Sequence, residues 1–284
     1  MIVDVHSHAW LYPKHFNDDF RRQAMRARAG REVDLTVRYE EYRKNAPAEV
    51  VAIVFGGKAR LSGLWVEDQF IADYVARDPG RLIGFMSLDP AVAGWENELR
   101  QGHQELGLRG IKLMPMYSGF SPDNRMLDPL WEYAQALRLP VLLHTGTTFV
   151  AQAPIEYTLP RKLDQVAIRY PQLKMILAHL SHPFEGECAA VIRKHPNLFA
   201  DISALHYRPF QLYHSLMLMQ EYGIWDKLLF GTDYPFTTVN ATIEGLHKLN
   251  DMTAGTGLPK LDDRQIDNLI HRDALSLLGL KRPA

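Results

Sequence analysis

The chain opens MIVDVHSHAW, where His6 and His8 stand one serine apart at the end of a short apolar run. Four further polar residues close or occupy apolar runs of the same kind: Lys112 in GIKLM, His144 in VLLHT, His179 in KMILAH and Asp233 in LLFGTD. In an extended strand, side chains two apart share a face, so His6 and His8 can reach one cation together. Asp4 has the same parity and is expected deeper on that face. It would be either the carboxylate that orients a metal-ligating imidazole or a satisfied core group.

Imidazole nitrogens and carboxylate oxygens are the donors a divalent ion such as zinc accepts, and a catalytic site keeps one position open. His6, His8, His144 and Asp233 together supply such a set. A metal in it would bring the pKa of a bound water toward about 7. His179 would then carry protons, since imidazole titrates near neutral pH. A lone His-x-His is usually structural, as is a histidine that ends an apolar strand. The weight lies in the combination, because three of the runs end in histidine and the last ends in aspartate. His182 follows His179 by three residues and is a candidate substrate contact near the same mouth, while the other histidines fall mostly in helix-like or loop-like stretches.

The elements that must gather these residues are legible as alternation. Eight short apolar, β-branched runs recur at 2–5, 50–55, 82–87, 110–114, 141–145, 174–179, 198–203 and 228–233. Segments with helical spacing lie between them, such as WVEDQFIADYVARDP (65–79), WENELRQGHQEL (95–106) and LDPLWEYAQALRL (127–139). Strand–helix alternation implies parallel pairing, and eight units in 284 residues imply an α/β fold of the (β/α)8 TIM-barrel type. An open doubly wound sheet would ordinarily carry a Gly-rich turn after its first strand, and DVHSHAW has none. In a barrel, the C-terminal strand ends all face one mouth, so the polar residues converge there. Residues 9–49 interrupt the spacing and are expected as a helical insertion over the mouth of a single domain spanning 1–284.

Composition narrows the function classes. Lys plus Arg number 32 against 33 Asp plus Glu, a net charge of −1, which gives no electrostatic case for nucleic acid or an anionic membrane. Arg21, Arg22, Arg26, Arg28 and Arg31 form a local basic cluster, expected as a solvated helix face. Cys188 is the sole cysteine, no signal peptide is evident and no apolar run reaches membrane-spanning length. A cytoplasmic protein follows. The Met-rich HSLMLMQEYGIW (214–225) is either an oligomer surface or a helix facing the barrel.

DVHSH, LLHTG, LAHLSHP and FGTDYPF, in that order, resemble the amidohydrolase superfamily, and most closely its amidohydrolase-2 branch, which includes aminocarboxymuconate semialdehyde decarboxylase-like enzymes and TIM-barrel metal-dependent hydrolases. GLRGIKLMPMYSGFSPDNRMLDPLWEYAQALRLPVLLHTG is similar to that branch as well, so the resemblance runs over nearly the whole chain. It implies His6, His8, His144 and Asp233 as ligands of one divalent metal, most often zinc, with manganese or iron as alternatives. It implies His179 as the histidine that activates water or substrate, with Asp233 assisting. Lys112 matches the strand-four lysine, expected here as an ammonium for a substrate carboxylate or carbonyl, with a bridging carbamate or a structural role as alternatives. Trp10, Tyr117, Phe149, Tyr207, Arg208 and Phe236 are candidate substrate contacts at the mouth; each serves equally well as loop packing.

The leading expectation is a metal-dependent hydrolase acting on an ester, lactone or amide of a small carboxylate-bearing substrate, as a homodimer or larger homo-oligomer. A metal-dependent, non-oxidative decarboxylase of an unsaturated or aromatic acid is the alternative, and a hydratase a third outcome. A non-catalytic binding barrel would show a broken ligand set, and every position is filled.

Overall fold

Runs of Val, Ile, Leu and Phe become eight parallel strands in the computed structural model, which describes residues 1–27, 30 and 34–283. We number them β1 (Ile2–His8), β2 (Val50–Phe55), β3 (Leu82–Gly84 and Met86–Leu88), β4 (Ile111–Leu113), β5 (Val141–Leu143), β6 (Met175–Leu177), β7 (Leu198–Asp201) and β8 (Leu228–Leu229). Each pairs in parallel with its neighbour in chain order. Regular pairing lapses at two places, and hydrogen bonds bridge both. Around Phe85, its N–H donates to the Val54 carbonyl and the Met86 N–H to the Gly110 carbonyl, each at 2.9 Å. Between the last strand and the first, Val5 N–H donates to Phe230 O at 3.0 Å and Ser7 bridges Tyr234. The fold is a (β/α)8 TIM barrel.

Helices form the outer layer. Asp68–Val75 follows β2, and Trp95–Arg100 follows β3 and continues through a π-helical turn, Gln101–Glu105. Asp128–Ala136, Pro160–Arg169, Glu185–Lys194 and Pro209–Glu221 follow the next four strands. The Met-rich stretch lies on the last of these with Leu216, Met217 and Met219 buried against the barrel, so it is core and not a free patch. The insertion contributes α1 (Asp18–Ala27) and α2 (Tyr39–Lys44). On α1, Arg21 and Arg22 pair with Asp18 and Asp19 one turn away; Arg28 and Arg31 lie outside the described residues. Among the described residues, no helix is long and apolar enough to cross a membrane.

The barrel interior is divided along its axis. Its lower part is apolar: Val3, Val5, Ile53, Ile83, Leu142, Ile176 and Leu229 pack together, closed below by Ala274, Leu275 and Leu278. Its upper part holds the polar strand ends. β1 passes between these layers by a β-bulge, since Asp4 pairs with Ala52 but Ser7 already pairs with Val54. The extra residue shifts the parity, so Val3 and Val5 face inward below and His6 and His8 face inward above. Asp4 is thereby turned to the other face, contrary to the parity expectation. Its carboxylate accepts from Thr232 N–H (2.9 Å), Thr232 Oγ1 (2.8 Å), His6 N–H (3.2 Å) and Tyr42 OH (3.1 Å), tying β1 to β8 and α2.

Candidate active site

Each polar strand end is held by a local device. β8 continues to Asp233, whose N–H donates to His6 O at 2.7 Å while its backbone takes a left-handed φ of 65°. After β6, His179, Leu180 and Ser181 are all left-handed, with φ of 58°, 49° and 56°. Such a run of non-glycine residues costs of order 1–3 kcal/mol each and survives only where neighbours over-determine it. Asp201 Oδ1 accepts the His179 N–H at 3.0 Å, and Ser181 Oγ donates to Thr145 Oγ1 at 2.9 Å. Gly146 completes the clamp, because a Cβ there would sit 2.4 Å from the His182 carbonyl oxygen.

These devices bring His6 Nε2 and His8 Nε2 to 3.2 and 3.1 Å from one oxygen, Asp233 Oδ1. His6, His179 and Asp233 offer ligand atoms that all lie within 4.8 Å of one another. His144 stands beside them, its ring 5.1 Å from that of His179, outside this tightest group. Lys112 is buried beneath the site, its Nζ 3.4 Å from His6 Nε2 and 4.6 Å from the Phe55 ring centre.

The hydrogen-bond partners assign the imidazole protons. His6 Nδ1–H donates to Asp201 Oδ2 at 2.9 Å, and His8 Nδ1 meets the Gly56 carbonyl at 3.2 Å. His144 Nε2 meets the Thr147 carbonyl at 3.3 Å. His179 Nδ1–H donates to Ser203 Oγ at 2.8 Å, and that hydroxyl donates on to Asp201 Oδ1 at 2.5 Å. One carboxylate therefore orients both His6 and His179. Sequence reading missed Asp201 and Ser203. Their signal was the alternation Phe199, Asp201, Ser203 in LFADIS, which puts both polar groups on the inward face of β7.

Burial lowers His8 and His179 to about 4 each, against the pull of Asp233, and lowers His144 well below its ordinary range. For His6, burial and Lys112 push down, but Asp201 and Asp233 outweigh them and raise it. Asp233 and Asp201 are both held below the carboxylate range despite burial, chiefly by these imidazoles. Burial lowers Lys112 to about 8. His8 poses a definite problem. Both its ring nitrogens face oxygen acceptors, Gly56 O and Asp233 Oδ1, yet a neutral imidazole has one N–H. A cation on the Nε2 side resolves it, so the residues fit a metal.

Above this floor opens a cavity of about 480 Å³. His8, His144, His179 and Asp233 reach its base; Trp10, Phe20, Tyr117, Phe149 and Phe236 contribute aromatic walls; His182, Tyr207, Arg208, Thr147 and Thr148 add polar groups to the lining. Every expected mouth residue is thus gathered, whereas Lys112 is absent from the lining. α1 roofs the space with Phe20, Ala24 and Ala27. Trp10 stacks on His8 with centroids 4.0 Å apart.

A family model described as Amidohydrolase matches residues 3–280. A gamma-resorcylate decarboxylase of Polaromonas sp. is 29 % identical, over 69 % of this chain and 72 % of that protein. A 2-amino-3-carboxymuconate-6-semialdehyde decarboxylase of Dictyostelium discoideum is 26 % identical, over 81 % and 71 %. Among solved structures, an uncharacterised TIM-barrel protein from Bordetella bronchiseptica superposes with a TM-score of 0.73 at 21 % identity over 98 % of each chain. A dihydroxybenzoic acid decarboxylase from Polaromonas sp., with bound manganese and 2-nitroresorcinol, superposes with a TM-score of 0.57 at 17 % identity, over 98 % of this chain and 96 % of that one.

Proposed function

Because the chain belongs to the amidohydrolase family, whose model spans residues 3–280, we propose that it is a metal-dependent, non-oxidative decarboxylase of an aromatic or unsaturated carboxylic acid. That it is a metal-dependent enzyme of this superfamily follows from the family itself. The preference for decarboxylation over the expected ester, lactone or amide hydrolysis rests on the relatives, which are decarboxylases on aromatic or unsaturated acids. The structural observation that carries the reading is a metal-competent floor beneath a cavity walled by flat rings.

His6, His8 and Asp233 would hold the ion, with His144 as a fourth donor and Asp201 fixing His6 from behind. Zinc suits this imidazole-rich set, and so does the manganese bound in the Polaromonas structure. When bound, the ion would supply positive charge for the carboxylate and any neighbouring oxygen of the substrate. The aromatic walls would sandwich a planar substrate and exclude water from the carbon under attack. His179, with Nδ1–H committed to Ser203, would take up a proton from water at Nε2 and pass it to the carbon that bears the carboxylate, returning to the neutral imidazole. That carbon gains a C–H bond, the C–C bond breaks, and carbon dioxide leaves. Arg208 at the rim would draw the anion in. The near-neutral net charge gives no electrostatic argument for a nucleic-acid partner, and the single cysteine suits a cytoplasmic setting.

The test is carbon dioxide release from 2,6-dihydroxybenzoate and related acids by manganese- or zinc-loaded protein, run beside ester and lactone cleavage. Carbon dioxide release that is lost on chelation supports the reading. Metal-dependent ester or lactone cleavage without carbon dioxide release restores the hydrolase.

A further inference from the structure

His182 is unlike the other imidazoles of the cavity. It lines the wall and not the floor, and it has a carboxylate partner of its own. Its Nδ1 lies 2.5 Å from Glu185 Oε1, and the Ser215 hydroxyl stands 3.0 Å from the same oxygen and 2.8 Å from the Gln211 carbonyl, its other acceptor. Glu185 and Ser215 are both buried. Glu185 sits at the start of the helix Glu185–Lys194 and Ser215 on Pro209–Glu221, so two outer helices hold this one ring. Its backbone is fixed as well: His182 N–H donates to His179 O at 2.9 Å, and Gly146 packs against its carbonyl.

A carboxylate can only accept, so in the neutral imidazole the Glu185 contact places the His182 proton on Nδ1 and leaves a lone pair on Nε2. None of the hydrogen bonds among the described residues engages Nε2. The mechanism proposed above uses neither His182 nor Glu185. We propose that His182, fixed by Glu185 and Ser215, accepts a hydrogen bond from a hydroxyl on the substrate, so that this site selects hydroxy-substituted acids over their unsubstituted counterparts. This deepens the decarboxylase reading and rests on it. Thr147, Thr148, Tyr117, Tyr207 and Arg208 also line the cavity, and an ion on the floor would attract a neighbouring hydroxyl, so the increment assigned to this acceptor is the part that depends on His182.

The experiment is a ligand-by-variant cycle on manganese-loaded full-length protein. Calorimetry measures the affinity for benzoate and the three monohydroxybenzoates in the wild type, His182→Phe and Glu185→Gln, with thermal melts confirming that each variant folds. At least one hydroxyl is expected to tighten wild-type binding by about ten- to a hundredfold. His182→Phe should abolish that increment measured relative to benzoate in the same variant, and Glu185→Gln should reduce it. A structural role alone would weaken all four ligands by one factor, which overturns the proposal. So does an increment that survives in both variants, or a wild type indifferent to every hydroxyl. If the wild type binds none of the four acids, the aromatic-acid reading fails and takes this proposal with it.

Discussion

The two halves of the barrel interior are built from the same eight strands and behave as opposites. Below, Val5, Ile53, Leu142, Ile176 and Leu229 make an apolar plug. Above, a few residues further along each strand, His6, His8, His144, His179, Asp201 and Asp233 crowd together with Lys112, all buried. The lower half holds the barrel together by removing apolar surface from water, at about 25 cal/mol per Å². The upper half keeps ionisable groups out of water, which is unfavourable unless each is paired. The difference teaches that stability and chemistry are separated along the axis, and that the bulge in β1 is the hinge between them.

Substitutions in the two halves should therefore fail in different ways. The largest effect is expected for His6→Ala. Metal content, measured by mass spectrometry, should fall from about one ion per chain to near none, and carbon dioxide release by about a thousandfold or more. Its melting temperature should stay close to that of the metal-free wild type; full metal retention would remove His6 from the ligand set. Ile176→Ala in the plug should do the reverse. It should cost about 2–5 kcal/mol in denaturant unfolding and leave the metal stoichiometry unchanged.

Asp4, on the outer face of the bulge, gives the contrast a pH signature. Burial raises its carboxyl from 3.8 to about 6, against hydrogen bonds from Thr232, His6 N–H and Tyr42. The folded state thus favours the protonated form. That contribution is fully present below about pH 4 and is lost as pH rises through 6, about 3 kcal/mol in all. Asp4→Asn should flatten the stability profile between those values; an unchanged profile would mean that Asp4 does not titrate there.

Asp201→Asn is expected to weaken metal affinity about 10- to 100-fold, because the His6 proton loses its carboxylate acceptor while the ligands themselves remain. An affinity equal to wild type would show that Asp201 only packs. The smallest effect belongs to the clamp. Gly146→Ala, at a left-handed φ of 92° and against the His182 carbonyl, should cost about 1–3 kcal/mol and loosen the 179–182 turn. Faster amide exchange confined to that turn would register it.

Much of this was legible in one dimension. The eight apolar runs, the insertion after the first and the strand-end residues His6, His8, His144, His179 and Asp233 all follow from spacing, because a strand alternates with period two and a barrel points its strand ends one way. Trp10, Tyr117, Phe149, His182, Tyr207, Arg208 and Phe236 were expected at the mouth as substrate contacts or as packing, and all of them line one cavity. Asp4 was misplaced because period-two counting assumes an unbroken strand, and a single bulged residue inverts it.

The sequence by itself determined the barrel and the chemistry of its polar strand ends, since both are repetitive and local: hydrophobic period, helix spacing and residue type at each strand terminus. Only the tertiary structure decided which carboxylate serves which imidazole. Asp201 reaches His6 across 195 positions, and Asp233 meets His8 across 225. No local pattern encodes such pairings; they exist because closing the barrel brings β7 and β8 back against β1. The three left-handed residues after β6 are of the same kind. Nothing in HLS marks a strained turn, and it persists because Asp201, Thr145 and Gly146, from two other strand ends, hold it in place.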